Sequence, residues 1–191
     1  MYMKIFVAGA TGRVGEELIK NLVEKGHTVY AGARRDDAIE ANESVTPVHL
    51  DLHGTIDEIA NTLTDAEAVY FVAGSRGKDL LQTDLFGAVK LMQAVEKKGI
   101  KRYIHLSSLF ALQPDKWSGA LTDYNISKFF SDNWLIDKTN LEYTILQPGS
   151  LKETPGSGKI TTNITEKSEN SIENVAAVLT ELLEQENTIP V

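Results

Sequence analysis

Short apolar runs alternate along the chain with longer stretches in which apolar residues return every third or fourth position. Lys4–Ala8 is rich in β-branched and aromatic residues and stops at Gly9, the pattern of a strand. Val14, Leu18, Ile19, Leu22 and Val23 then recur at helical spacing until Gly26. Thr28–Ala33 and Val45–Leu50 read as second and third strands. Thr55 stands where it can cap a helix carrying Ile56, Ile59, Ala60 and Leu63. Ala68–Ala73 is a continuous apolar strand, and Leu85, Val89, Met92 and Val95 mark a helix that stops at Gly99. Arg102–Ser107 is a fifth strand, Leu121–Lys138 a helix and Glu142–Gln147 a sixth strand.

This alternation predicts the α/β class: a doubly wound parallel sheet, the Rossmann fold, with strand order 3-2-1-4-5-6. Uninterrupted apolar strands fit a sheet covered by helices on both faces. Gly149–Ser171 breaks the pattern, being rich in Gly, Ser, Thr, Lys and Glu with scattered apolar residues. A further amphipathic helix follows, carrying Ile172, Val175, Ala176, Leu179, Leu182 and Leu183. The expectation is one domain over residues 1–191, with 148–191 forming a small substrate-side lobe over the carboxyl ends of the strands. The chain reaches Val191 just where another strand is expected.

Composition narrows the function classes. With 191 residues, 42% of them hydrophobic, the chain can bury a core without disulfide or metal staples. It has no cysteine, which removes disulfides, thiolate metal sites and thiol catalysis and fits a reducing cytoplasm. A net charge of −8 without a basic run argues against nucleic-acid binding. No apolar stretch is long enough for a bilayer, and Met1–Ala10 has no cleavable apolar region, so neither membrane insertion nor a signal peptide is expected.

Gly9-Ala-Thr-Gly12-Arg-Val-Gly15 lies between the first strand and first helix. In that place Gly9 allows a tight turn, Gly12 lets a pyrophosphate approach the backbone, and Gly15 lets helix and sheet pack closely. The helix N-terminus offers free N–H groups to the anion. An NAD site usually places an acidic residue at the end of the second strand; this chain has Arg34 and Arg35, which suit the 2′-phosphate of NADP. Asp36 and Asp37 follow and can partly offset the pair or hold a ribose, leaving NAD as the alternative. Asp51 stands where an adenine contact falls, and equally where a polar residue starts a turn.

Tyr124-Asn-Ile-Ser-Lys128 is the only Tyr-x-x-x-Lys in the chain. It opens the helix after the fifth strand, and i,i+4 spacing sets phenol and ammonium on one face. The fifth strand ends in Ser107-Ser108, at the sheet edge where ligands sit. A lysine beside the phenol is expected to lower its pKa, and a serine hydroxyl to polarise the same substrate oxygen. This is machinery for moving a proton at a carbonyl.

Taken together, these motifs resemble the atypical short-chain dehydrogenase/reductases of the NmrA-like NAD(P)-binding group. The matching stretches also include Gly26-His27-Thr-Val, Leu50-Asp51-Leu52, Gly99–Ser108 and Leu141–Leu151, so the resemblance spans nearly the whole chain. It implies a Rossmann core, an NAD(P) cofactor and substrate over the strand carboxyl ends. Carried onto this sequence, it implies Tyr124 as acid/base, Lys128 as its electrostatic partner and ribose ligand, and Ser108 as oxygen polariser. The implied cofactor contacts are Gly9, Thr11, Gly12, Arg13, Val14, Gly15, Arg34, Arg35, Asp51, Leu52, Ala73, Gly74, Ser107, Lys128 and Pro148. Two positions depart from the pattern: Asp84 replaces a helix Asn, and Gln147 the Arg before Pro-Gly.

His27, His49, His53 and His105 show no metal-ligand spacing, and no metal is expected. Phe110 and Trp117 either line a pocket or pack beneath a loop. The expected protein is a cytoplasmic NADP(H)-dependent oxidoreductase acting on a small carbonyl, quinone or similar acceptor. The rivals are a non-catalytic NAD(P) sensor working through a protein partner, and a nucleotide-sugar epimerase or dehydratase.

Overall fold

The computed structural model describes residues 2–162 and 164–190; Met1, Asn163 and Val191, where the sequence anticipates a further strand, lie outside the described residues. Six strands, β1 (Lys4–Ala8), β2 (Thr28–Ala33), β3 (Val45–His49), β4 (Ala68–Phe71), β5 (Arg102–Leu106) and β6 (Glu142–Leu146), form one sheet. Its order is β3-β2-β1-β4-β5-β6 and every pairing is parallel. The order reverses between β1 and β4, which opens a crevice at their carboxyl ends. β4 is two residues shorter than expected, because beyond Phe71 the chain lifts away to run past the glycine loop; Val72 N still donates to Ala8 O at 2.9 Å.

Alternate residues of each strand feed two cores. Phe6, Val69, Phe71 and Tyr103 pack beneath α2 (Ile56–Thr62), α3 (Ala88–Lys97) and Leu135 of α4 (Thr122–Lys138). Ile5, Val7, Tyr70 and Ile104 pack beneath α1 (Arg13–Glu24) and α5 (Ile172–Leu182). Both sets are apolar, which is why the strands read as unbroken hydrophobic runs. Thr55 caps α2 through a full capping box with Glu58.

Two expectations need correction. The helix through Leu85 and Val95 begins as a π-helical segment, Leu80–Gly87, and becomes α-helical only at Ala88. The wider turn carries Asp84 inward, where it is fully buried. The C-terminal helix does not build a lobe over the strand ends: α5 lies beside α1 on the sheet face, pinned by Lys25–Glu181 and by the Tyr70 hydroxyl donating to Leu179 O at 2.8 Å. Only the segment before it stays near the strand ends. There β7 (Ser150–Lys152) and β8 (Glu169–Ser171) pair in parallel and bring Lys167 and Ser168 to the cleft.

Candidate active site

The β1–α1 turn is built from its glycines. Gly9 has φ +102°, and a Cβ there would lie 2.5 Å from Ala73 N. A Cβ on Gly15 would lie 2.1 Å from Gly9 O, so this residue lets helix and loop pack. Gly12 differs: an added Cβ would meet only Gly9 O, at 3.2 Å, and its other side is open. Gly12 also caps α1 without any side-chain hydrogen bond. The first N–H groups of a twelve-residue helix therefore face an open cradle, a fit for a dinucleotide pyrophosphate.

That cradle lies in a cleft of about 1170 Å³ along the carboxyl ends of the strands. This exceeds the roughly 300–1,000 Å³ of an ordinary small-molecule site, leaving room for a cofactor and a substrate. Gly9, Thr11, Gly12, Arg13 and Val14 line one wall, with Arg34, Arg35 and Leu52 at one end and Ala73 and Gly74 across from them. Ser107, Ser108, Tyr124, Lys128 and Pro148 line the other end. Gly15 is buried behind the loop, and Asp51 does not face the cleft: its carboxylate accepts from His53 N at 2.9 Å, the turn-starting arrangement. A separate groove of about 360 Å³, between α1 and residues 38–45, holds none of the candidate catalytic groups.

α4 presents Tyr124 and Lys128 on one face. The Lys128 ammonium is 5.7 Å from the Tyr124 ring centre and 5.2 Å from that of Phe71, and it donates to Leu106 O at 3.3 Å. The expected lowering of the phenol pKa does not occur. Burial, reinforced by the carboxylates of Asp84 and Asp132, pushes Tyr124 up to about 12. Burial likewise pulls Lys128 down, against the same two carboxylates. Desolvation favours the neutral form of each group and is the largest cause at both.

The two serines have different roles. Ser107 Oγ is buried and donates to Asp132 Oδ2 at 2.6 Å, so its proton is engaged. Ser108 is half-buried and faces the cleft. Gln147, in place of the pattern's Arg, donates to the same Asp132 oxygen at 3.0 Å. His105 stacks on Phe71 at 5.0 Å and faces Asp132 Oδ1 at 3.4 Å, and burial holds its pKa below the usual histidine range. Asp84 Oδ2 accepts from Ser75 N at 3.0 Å, while Oδ1 has no partner among the described residues.

Several site residues escape sequence reasoning. Asp132 is one turn beyond Lys128, a signal available had the Tyr124 face been followed onward. His105 interrupts the apolar run of β5, which marks it as a buried polar residue without naming its partner. Lys116, Lys167 and His53 also line the cleft, but they come from loops with no periodic pattern. Phe110 lines it as well, whereas Trp117 packs edge-on against Phe129 and donates to Phe110 O.

The chain resembles known proteins over nearly its full length. The NAD(P)H-binding family model matches residues 9–186. The crystal structure of the oxidoreductase ylbE from Lactococcus lactis is 46% identical, with a TM-score of 0.94 over 98% of this chain and 87% of that one. The uncharacterized sugar epimerase YhfK of Bacillus subtilis is 32% identical over 97% of this chain and 90% of its own length. A Saccharomyces cerevisiae protein, YMR090W, is 36% identical over 82% of this chain and 73% of its own. Glycine cradle, strand order and relatives agree that the chain belongs to the NAD(P)H-binding family of Rossmann proteins, among structural neighbours of the atypical short-chain dehydrogenase/reductase type.

Proposed function

We propose that this protein is an NADPH-dependent reductase of small carbonyl or quinone compounds. One observation carries the reading: a half-buried, protonated phenol and a free serine hydroxyl share the cleft with the glycine cradle. The bound nicotinamide would supply hydride. Ser108 donates a hydrogen bond to the substrate oxygen and polarises it. Tyr124, with its pKa near 12, keeps its proton at neutral pH and serves as a donor to that oxygen rather than as a base. The Lys128 ammonium would hold a ribose hydroxyl and stabilise the phenolate left when the Tyr124 proton passes to the substrate oxygen. Arg34 and Arg35, exposed at the adenine end, support NADP over NAD. The absence of cysteine supports a cytoplasmic setting.

Tyr124→Phe tests this. NADPH binding should survive, while reduction of an aldehyde should fall about 10²–10⁴-fold. Carbonyl turnover equal to the unaltered protein would overturn the donor role. A second reading, a sugar epimerase, draws on the YhfK relative. It requires Tyr124 to act as a base in one half-reaction, which the raised pKa disfavours, and it would interconvert sugars without net oxidation of NADPH.

A further inference from the structure

We infer that the substrate carries an anionic group, a carboxylate or a phosphate, held by Lys116 and Lys167 at the Tyr124 end of the cleft. The inference rests on the proposed reductase reading, which makes that end the reacting end. The protein carries a net charge of −8. On its outer surface five lysines pair with carboxylates, in Lys4–Asp65, Lys20–Glu17, Lys25–Glu181, Lys97–Asp57 and Lys152–Glu169, while Lys98, Lys101, Lys138 and Lys159 have no such partner among the described residues.

Inside the cleft unpaired cations are concentrated in one concave site. Among the described residues, Arg34, Arg35, Arg76, Lys78, Lys116 and Lys167 line it without a carboxylate within 4.0 Å. Arg13, the one cation of the glycine loop, is paired with Glu153 at 3.1 Å. The acidic side chains of the lining are Asp84, buried beside Lys128 and Tyr124, and Asp123.

A dinucleotide does not account for all of this charge. Arg34 and Arg35 directly follow β2, whereas the loop that carries Lys116 leaves β5, three strands away in the sheet. At the usual strand spacing that is roughly 14 Å. The far pair is also held in place. The Lys116 ammonium rests 4.4 Å over the Phe110 ring, and Phe110 is buried with φ +63° and its carbonyl taken by the Trp117 indole. Lys167, from the strap before β8, donates to Ser118 Oγ at 2.9 Å. Lys167 thus meets, at Ser118, the same loop that carries Lys116 and runs from Ser108 to Tyr124, and all of these residues line the cleft. Unpaired point charges in a concave site attract and orient an anion.

The test uses the full chain saturated with NADP, so that the cofactor's own phosphate sites are filled. Benzoate, phenyl phosphate and the neutral benzamide are titrated by calorimetry at low salt. At least one anion should bind about ten-fold or more tighter than benzamide, with the advantage shrinking at 0.5 M salt. Whether phenyl phosphate or benzoate leads tells which anion the site takes. In K116Q/K167Q the advantage should fall below about two-fold, with NADPH fluorescence checking that the cleft is intact. Equal binding of anions and benzamide, no binding of either, or an advantage that survives in K116Q/K167Q would overturn the inference. Turnover is read separately as NADPH oxidation with benzaldehyde and 4-carboxybenzaldehyde. Anion preference without turnover of either keeps the anion site and removes the reductase reading; turnover without anion preference does the reverse.

Discussion

Gly9 and Gly12 stand three residues apart and respond differently to one added methyl group. Gly12→Val should abolish dinucleotide binding while leaving thermal unfolding nearly unchanged, since the new side chain points into the open cradle. Gly9→Ala should instead cost more than about 2 kcal/mol in denaturant unfolding, combining left-handed strain with a backbone clash at Ala73. Arg34 and Arg35 make a second residue-scale prediction. NADPH should bind at least ~10-fold tighter than NADH by calorimetry, and Arg34→Ala/Arg35→Ala should erase the difference, because a charge-assisted contact is worth about 1.5–3 kcal/mol. At this scale the sequence was legible as to which residues share one cleft, since Gly12, Tyr124 and Lys128 all line it. It was silent on environment. Ser107 and Ser108 are neighbours of one type, and only burial against Asp132 separates them. Spacing reveals the ammonium near Tyr124 but not the desolvation or the carboxylates of Asp84 and Asp132, which reverse the expected direction of its pKa.

Among the elements, strands and amphipathic helices were read well because each exposes a period set by its buried face. The π-helical segment Leu80–Gly87 was not, since its side-chain spacing departs from both the 3.6 and the two-residue periods. α5 was recognised as a helix, yet its docking place was misjudged: periodicity marks an apolar face without marking its partner. The partner is the face around Leu18, Leu22 and Tyr70. Leu179 is fully buried there, so Leu179→Ala should lower the unfolding free energy by about 2–5 kcal/mol, measured by denaturant titration. NADPH affinity without denaturant should change little, because Leu179 does not line the cleft.

For the whole molecule, two buried histidines set an acid limit. Burial holds the folded-state pKa of His27 and of His105 below 6.5. A depressed pKa favours the neutral form in the fold, so its contribution is complete above pH 6.5. It drains away as the pH falls below that value, where the unfolded chain takes up protons first. Stability should therefore decline below pH 6.5 by up to about 1.4 kcal/mol per pH unit per histidine, and His27→Gln or His105→Gln should each flatten the slope. The sheet order has a consequence in time rather than in space. A ribosome delivers β1 first and α5 some 160 residues later, yet both belong to one packed layer. Until residues 172–182 emerge, Tyr70 and Ile104 lack the cover that α5 supplies, and the nascent chain presents a greasy, unfinished surface. Its birth, more than its mature life, is when this protein would call on a chaperone.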